Sequence, residues 1–454
     1  MSVSVLDEDF RDRDVCIVGL GYVGLTLAIA MAEAGFRVTG TEVRTEVLES
    51  LQAGRAPFFE PGLEQRLMRN LEEGRFRVFA RIPEDCGARV FILTVGTPLG
   101  PDGRVRLDMI RRAAHEVRER FGPGALVIAR STVKVGTTRK FVAPILDEAG
   151  IDYDLAFCPE RTVEGQALQE LPVLPQIVGG VTPRACLRAS QLFQNLTATV
   201  VRVRDLETAE MIKLVDNTQR DMIFAYSNEI ARLCDGMGIS ASEVIASGKL
   251  GYPRHHLFKP GPVGGPCLSK DSHILLESGA EYGVEAEITR AARLLNERQP
   301  EEVAAWLGKA CAVAGIPAAA EVAVCGLAFK GRPPTDDLRG TPAIPLIAGL
   351  KRAFPEARLR GYDAMVAAAE IAGLGLSPCA TLEEAFAGSH LVVLQNNHPQ
   401  FAAMDLAGLA RAMARPAMVY DFWNNFQAHD LRLPEGVSYA ALGSHGLLQM
   451  PTAR

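Results

Sequence analysis

DVCIVGLGYVG, residues 14–24, is the stretch on which the reading of this chain turns. Residues 14–19 form a short apolar run that reads as a buried strand, and Gly19-x-Gly21-x-x-Gly24 follows at once. The residues after it read as a helix ending at Gly35, and residues 36–42 (FRVTGTE) read as a second strand. Strand, glycine turn, helix and strand in that order make a β-α-β unit of dinucleotide-binding size. The glycines of the loop, with Tyr22 and Val23 between them, let a pyrophosphate lie against the helix N-terminus, where free N–H groups and the helix dipole favour anions. Glu42, at the end of the second strand, can accept hydrogen bonds from an adenosine ribose and repels a 2′-phosphate, which points to NAD over NADP; Arg44 close by works against that preference. The competing reading is a glycine turn kept for packing alone.

Outward from this unit, apolar strand candidates lie at residues 89–95, 125–130, 154–158 and 176–178, alternating with helical stretches, which implies a parallel, doubly wound sheet. The first domain is placed at residues 1–202. Residues 205–235 lack Gly and Pro, and Ile212, Val215, Ile223, Tyr226, Ile230 and Leu233 recur at helical spacing, so one long helix is expected. Further helix is expected at 241–248 and 271–298, interrupted by the Gly/Pro-rich loop from Gly251 to Pro266. A helical middle domain, 203–316, follows. At residue 321 the strand signal returns as EVAVCGLAFKG, which parallels residues 14–24; LRGYDA (359–364) parallels VTGTEV (38–43), and LVVLQNNHP (391–399) parallels FILTVGTP (91–98). The expected fold is therefore α/β, with two Rossmann-like doubly wound parallel sheets, the second in residues 317–454, joined by a central helical domain. In the second copy Ala328 stands where the first has Gly21, so that copy is expected to bind something other than a dinucleotide.

The 454 residues are 48% hydrophobic and 22% charged, enough for a sizeable core, and the formal charge of −6 without basic blocks argues against nucleic-acid binding. Nine scattered cysteines without a C-x-x-C pair suggest neither a disulfide framework nor a metal site and fit a reducing, cytoplasmic compartment. The N-terminal residues lack a signal-peptide layout, and no uncharged apolar run reaches membrane-spanning length.

Three stretches carry candidate chemistry. Lys213 and Asn217 share one face of the long helix, and Asp221 continues the stripe; they can stabilise an oxyanion or form an ordinary solvated face. Cys267, in Pro260-Gly-Pro-Val-Gly-Gly-Pro-Cys-Leu-Ser-Lys-Asp271, is an activated nucleophile or a small core residue. Pro159-Glu160-Arg-Thr-Val-Glu164 and Thr132 sit at strand ends, placed to handle protons and water or to cap and turn.

Together these segments resemble the UDP-glucose/GDP-mannose dehydrogenase family of nucleotide-sugar 6-dehydrogenases over nearly the whole chain. The matching motifs are the first glycine loop, Glu60-Pro61-Gly62-Leu63, Thr97-Pro98, Ser131-Thr132-Val133 with Gly136-Thr137, Pro159-Glu160, Glu210-x-x-Lys213-x-x-x-Asn217 with Asn228-Glu229, Gly264-Gly265-x-Cys267-x-x-Lys270-Asp271, Gly326-x-Ala328-Phe329-Lys330, Thr335-Asp336-Asp337-x-Arg339 and Tyr362-Asp363. The resemblance implies that Cys267 is the catalytic thiol, that Lys213, Asn217 and Asp271 handle oxyanion and water, and that Glu160 and Thr132 support proton transfer. It places Gly19, Gly21, Tyr22, Val23, Gly24, Glu42, Thr97, Glu164, Lys270 and Arg339 on the cofactor side. Arg161, Arg220, Arg254, Gly264, Phe329 and Lys330 fall on the substrate side. It also implies a homodimer or larger homo-oligomer built through the long helix, a UDP-sugar substrate, and no metal. The chain departs from the family at Glu42, where aspartate is usual, at Gly96, where proline is common, and in the loop before Cys267, one residue shorter than the family's. Asp421-Phe422-Trp423-Asn424 stands where glucose-type members carry an arginine.

The implied reaction is a four-electron oxidation of a sugar C6 alcohol through a thioester on Cys267. The PERTVEGQALQEL segment and the helix NTQRDMIFAYSNE look most like UDP-N-acetylmannosamine members, then UDP-N-acetylglucosamine, then UDP-glucose. A single-hydride dehydrogenase of the 6-phosphogluconate type and a non-catalytic nucleotide-sugar sensor are the competing readings.

Overall fold

The structure is a computed structural model and describes residues 10–426 and 430–445; residues 1–9, read above for a leader, lie outside it. The chain divides into two compact units. The first holds the described residues up to Asp216 with His273–Glu285; the second holds Asn217–Ser272 and the described residues from Ala286 onward. The expected helical middle is thus distributed between them.

The first unit is built on eight strands: β1 (Asp14–Val18), β2 (Arg37–Thr41), β3 (Phe76–Phe79), β4 (Val90–Leu93), β5 (Ala125–Ala129), β6 (Tyr153–Phe157), β7 (Gln176–Gly180) and β8 (Val200–Arg202). Their order, β3-β2-β1-β4-β5-β6-β7-β8, opens with the Rossmann sequence and its reversal beside β1. The expected all-parallel sheet is corrected at one place: β7 runs antiparallel to β6. Alternation explains why the strands read as unbroken apolar runs. Val15 and Ile17 enter one core and Cys16 and Val18 the other, because helices cover both faces.

The second unit repeats the plan with β9 (Glu321–Cys325), β10 (Arg358–Tyr362), β11 (Ser377–Pro378), β12 (Leu391–Leu394), β13 (Ala417–Asp421) and β14 (Val437–Ala441), in the order β11-β10-β9-β12-β13-β14. The sequence parallels hold in register. Val18 pairs with Thr41 and Leu93, and Cys325 pairs with Tyr362 and Leu394.

The long helix runs from Leu206 to Met237. The helix expected at 271–298 is two: Gly265–Glu281, here the thiol helix, and Glu287–Val313. Gly283, with φ +72, takes the left-handed conformation that ends the first, and apolar spacing alone did not show that break.

Candidate functional site

In the first unit the helix Tyr22–Glu33 begins at Gly21 with no side-chain cap and no acidic residue in its first turn. Its N-terminal N–H groups are therefore open to an anion. A Cβ on Gly24 would lie 1.9 Å from Gly19 O, so helix and loop can meet only at a glycine. A Cβ on Gly21 would meet nothing within 4 Å, which leaves clear space where a pyrophosphate needs it. These residues fit a dinucleotide.

Glu42 is buried and follows β2. Its carboxylate is held by Arg44, through the backbone N at 3.0 Å, Nε at 3.1 Å and Nη2 at 3.0 Å. The arginine expected to weaken a preference for NAD is thus folded onto the carboxylate expected to create it. Glu42→Ala should release the guanidinium toward a 2′-phosphate and narrow the ratio of kcat/KM for NAD over NADP by about tenfold, the worth of one charge-assisted contact. Equal efficiency with the two cofactors in the unmutated enzyme would contradict the assignment.

The PERTVEG segment is clamped by a residue that sequence reasoning named only as part of a motif. Glu60 is buried and hydrogen bonded to Tyr22 Oη; it accepts Gly165 N at 2.8 Å and Leu168 N at 3.3 Å. It therefore ties the first turn of the cofactor helix to the loop carrying Glu160 and Glu164. Beneath that loop, buried Arg130 donates through Nη1 to Cys158 O at 2.9 Å, and Gln176 Nε2 donates to Pro159 O at 3.0 Å. Glu160, 8% exposed, comes within 3.9 Å of Lys213 Nζ, itself 7% exposed. The Lys213 side of the long helix is therefore buried here, against the solvated-face alternative. Arg161 Nε pairs with Asp216 at 2.9 Å. Thr97 Oγ1 donates to Thr132 O at 2.7 Å and joins the ends of two neighbouring strands. Glu210, the first acid of the helix motif, accepts Thr138 N at 2.9 Å and anchors the turn after Thr132. Burial pushes its carboxyl up to about 7, against the backbone N–H groups that favour the anion.

In the second unit Cys267 is exposed in the first turn of the thiol helix, at the end whose dipole favours negative charge on sulfur or on an adduct's oxygen. Asp271 lies four residues on, so the two share a face. Asp271 Oδ2 accepts Asn217 Nδ2 at 2.6 Å, both buried, and Lys270 Nζ lies 3.3 Å from Oδ1. The shortened loop is closely packed: a Cβ on Gly264 would lie 2.3 Å from Gly340 O, and one on Gly261 would lie 2.6 Å from the Trp423 ring. Gly265 abuts the Phe329 ring, and Lys330 Nζ sits 5.2 Å from that ring's centre. Arg339 forks onto Asp337, with Nη2 at 2.6 Å. Arg220 and Arg254 are exposed, the latter lying over the Tyr252 ring.

The second glycine loop shows why it differs from the first. Gly326 N bonds Tyr362 O as Gly19 N bonds Thr41 O, so Asp363 stands where Glu42 does. Its Oδ2 turns back to accept Leu327 N at 2.6 Å and Ala328 N at 3.0 Å. The N–H groups that a pyrophosphate would need are satisfied by the chain's own carboxylate. Lys259 Nζ donates to Asn424 O at 2.8 Å. Among the described residues no group of three or more His, Cys, Asp and Glu is placed to hold a metal ion.

Residues 13–197 match the NAD-binding domain model of the UDP-glucose/GDP-mannose dehydrogenase family, 207–298 its central domain and 323–428 its UDP-binding domain. A UDP-N-acetyl-D-mannosamine dehydrogenase of Pyrococcus horikoshii is 34% identical over 413 residues, covering 89% of this chain and 94% of that protein. An NDP-N-acetyl-D-galactosaminuronic acid dehydrogenase of Ralstonia nicotianae is 30% identical, covering 88% and 94%. Among solved structures, the Pyrococcus horikoshii UDP-N-acetylmannosamine dehydrogenase superposes with TM-score 0.85 at 33% identity, covering 95% of this chain and 99% of that one. A UDP-glucose dehydrogenase of Pyrobaculum islandicum superposes equally well, at 0.85, with 26% identity and coverage of 97% and 100%.

Proposed function

From the premise that this chain belongs to the UDP-glucose/GDP-mannose dehydrogenase family of NAD-dependent nucleotide-sugar dehydrogenases, we propose that it oxidises the C6 alcohol of UDP-N-acetyl-D-mannosamine to the carboxylate. The observation that carries the chemistry is an exposed thiol in the first turn of a helix, on the same face as a buried carboxylate held by Asn217. A dehydrogenase that stops at the aldehyde needs neither.

NAD, held by the glycine loop and Glu42, supplies a hydride acceptor for each of two oxidations. The C6 hydroxyl gives its proton to Lys213 in its neutral amine form, which thereby becomes the ammonium of the next step, or to a water that passes it to Asp271. Cys267 adds to the aldehyde to form a thiohemiacetal, whose oxyanion Lys213 and Asn217 stabilise. The second oxidation leaves a thioester on Cys267. Water activated by Asp271 or Glu160 hydrolyses it, releasing the uronic acid and the thiol. On the substrate side stand Arg161, Arg220, Arg254, Gly264, Phe329 and Lys330; Thr97, Glu164, Lys270 and Arg339 stand on the cofactor side. Arg161 and Arg339, paired in this structure with Asp216 and Asp337, would need to share or exchange those partners.

Fold similarity does not choose the sugar, since relatives named for mannosamine and glucose substrates superpose equally well. Identity favours the N-acetylhexosamine side, as does Trp423 in the segment where an arginine would serve glucose. Assayed for NADH against a panel of UDP-sugars, the enzyme should show its highest kcat/KM with UDP-N-acetylmannosamine or another UDP-N-acetylhexosamine. UDP-glucose as the best substrate would defeat this assignment. Two NADH per sugar fit the scheme, while one or none would favour a simple dehydrogenase or a sensor. A homodimer and a cytoplasmic location complete the proposal; no described helix is long and apolar enough to cross a membrane.

A further inference from the structure

The polar stripe of Lys213 and Asn217 continues to Asp221, which the reaction scheme does not use. Asp221 and Arg293, the latter on the helix Glu287–Val313, are each 1% exposed. Arg293 Nη1 donates to Asp221 Oδ1 at 2.9 Å and to Leu268 O at 2.8 Å. Ser272 Oγ donates to Asp221 Oδ2 at 2.9 Å, and Asn296 Nδ2 donates to Oδ1 at 2.8 Å. Asn296 Oδ1 in turn accepts Asn228 Nδ2 at 3.0 Å, and Asn228 holds both Gly261 O, at 3.0 Å, and Gly261 N, at 2.9 Å. Burial, and to a lesser degree the Glu297 charge, raises the Asp221 carboxyl's pKa, and the Arg293 guanidinium opposes that shift.

Leu268 follows Cys267, and Ser272 follows Asp271. One buried ion pair therefore holds the thiol helix at two points a turn apart, each beside a residue of the proposed chemistry. Through the two asparagines it also holds the loop that leads into the thiol. We propose that Asp221 and Arg293 are positioning residues, setting the rotation and height of the first two turns of the thiol helix so that Cys267 and Asp271 meet the same reacting carbon. This rests on the reading of Cys267 as nucleophile. A buried ion pair is a poor device for stability, because its desolvation cost rivals its attraction and apolar replacements of similar size often fold as well. Where reacting atoms must be placed to a fraction of an ångström, a hydrogen-bonded network that admits one arrangement has a use that apolar packing lacks.

The test is the double variant Asp221→Leu/Arg293→Met, which replaces the buried pair without leaving a buried charge alone; Glu297, which Arg293 Nε also meets at 3.3 Å, is exposed enough to stay solvated. Its readouts are Tm, kcat and KM for the UDP-sugar, and the iodoacetamide rate at Cys267 measured by peptide mapping, with half-buried Cys86 as internal reference. The melting temperature and the Cys86 rate should change little. Turnover and the Cys267 rate at neutral pH should each fall about 10- to 100-fold with KM within about threefold, the scale of a small misplacement. A folded double variant with unchanged turnover and unchanged Cys267 alkylation would overturn the proposal. Should that variant fail to fold, Ser272→Ala removes a single hydroxyl from Asp221 and should lower both rates about threefold or more; no change in either would likewise overturn it. Alkylation rates do not depend on the reaction scheme, so loss of the nucleophile reading, shown by an active Cys267→Ala, remains distinguishable from loss of the positioning role.

Discussion

Cys267→Ala should lose steady-state NADH formation by a factor of about a thousand or more, equivalent to about 4 kcal/mol in the barrier. Alanine cannot attack the aldehyde, so no covalent sugar adduct should form. Cys267→Ser should lose as much turnover but accumulate an adduct visible by intact-protein mass spectrometry after incubation with UDP-sugar and NAD. Serine keeps the size of the side chain, is a far poorer nucleophile at neutral pH, and gives an ester that hydrolyses slowly. Because Cys267 is exposed in the first turn of its helix, neither change creates a cavity, and the melting temperature should be nearly unchanged. Near-normal turnover by the alanine variant, with two NADH per sugar, would remove the thioester route altogether.

The second large effect belongs to Lys213. Lys213→Met keeps the aliphatic stem and removes the ammonium that is proposed to stabilise the thiohemiacetal oxyanion. Loss of one such donor costs about 3–4 kcal/mol, so kcat should fall about 100- to 1,000-fold with a smaller change in KM for the sugar. The variant also leaves Glu160 buried without the cation now 3.9 Å away, so some loss of thermal stability should accompany it. Adding Glu160→Gln to Lys213→Met separates the two consequences, since it removes the unpaired buried charge and should restore the melting temperature without restoring kcat. If Lys213→Met keeps kcat within about fivefold, oxyanion stabilisation does not come from this residue.

Much of the architecture was legible because its signals are local. β1, β2 and β4, and their counterparts β9, β10 and β12, each announce themselves within a dozen residues, through an apolar run, a glycine turn and an acid at the next strand's end. The same locality explains two misreadings. Apolar spacing continues across the break between the thiol helix and the helix after it, where a left-handed glycine ends the first. Strand direction leaves no trace in side-chain alternation, so the antiparallel β7 was invisible.

The sequence by itself determined the two-copy α/β plan, the glycine loop suited to a dinucleotide, and the short list of residues among which the chemistry lies. It could not determine how those residues spend their hydrogen bonds, because their partners are far away in the chain. Arg161 read only as a substrate-side residue, yet in the fold it pairs with Asp216, 55 residues on. Ala328 suggested that the second glycine loop had changed its use, but the physical reason is Asp363, which lies 35 residues beyond it and occupies the loop's N–H groups. Asp221 read as the end of a polar stripe, and only the arrival of Arg293, 72 residues later, made it half of a buried ion pair holding the thiol helix. Periodicity and glycine punctuation are properties of a segment. A buried charge is settled only when another segment brings its counter-charge, and that is decided by tertiary packing.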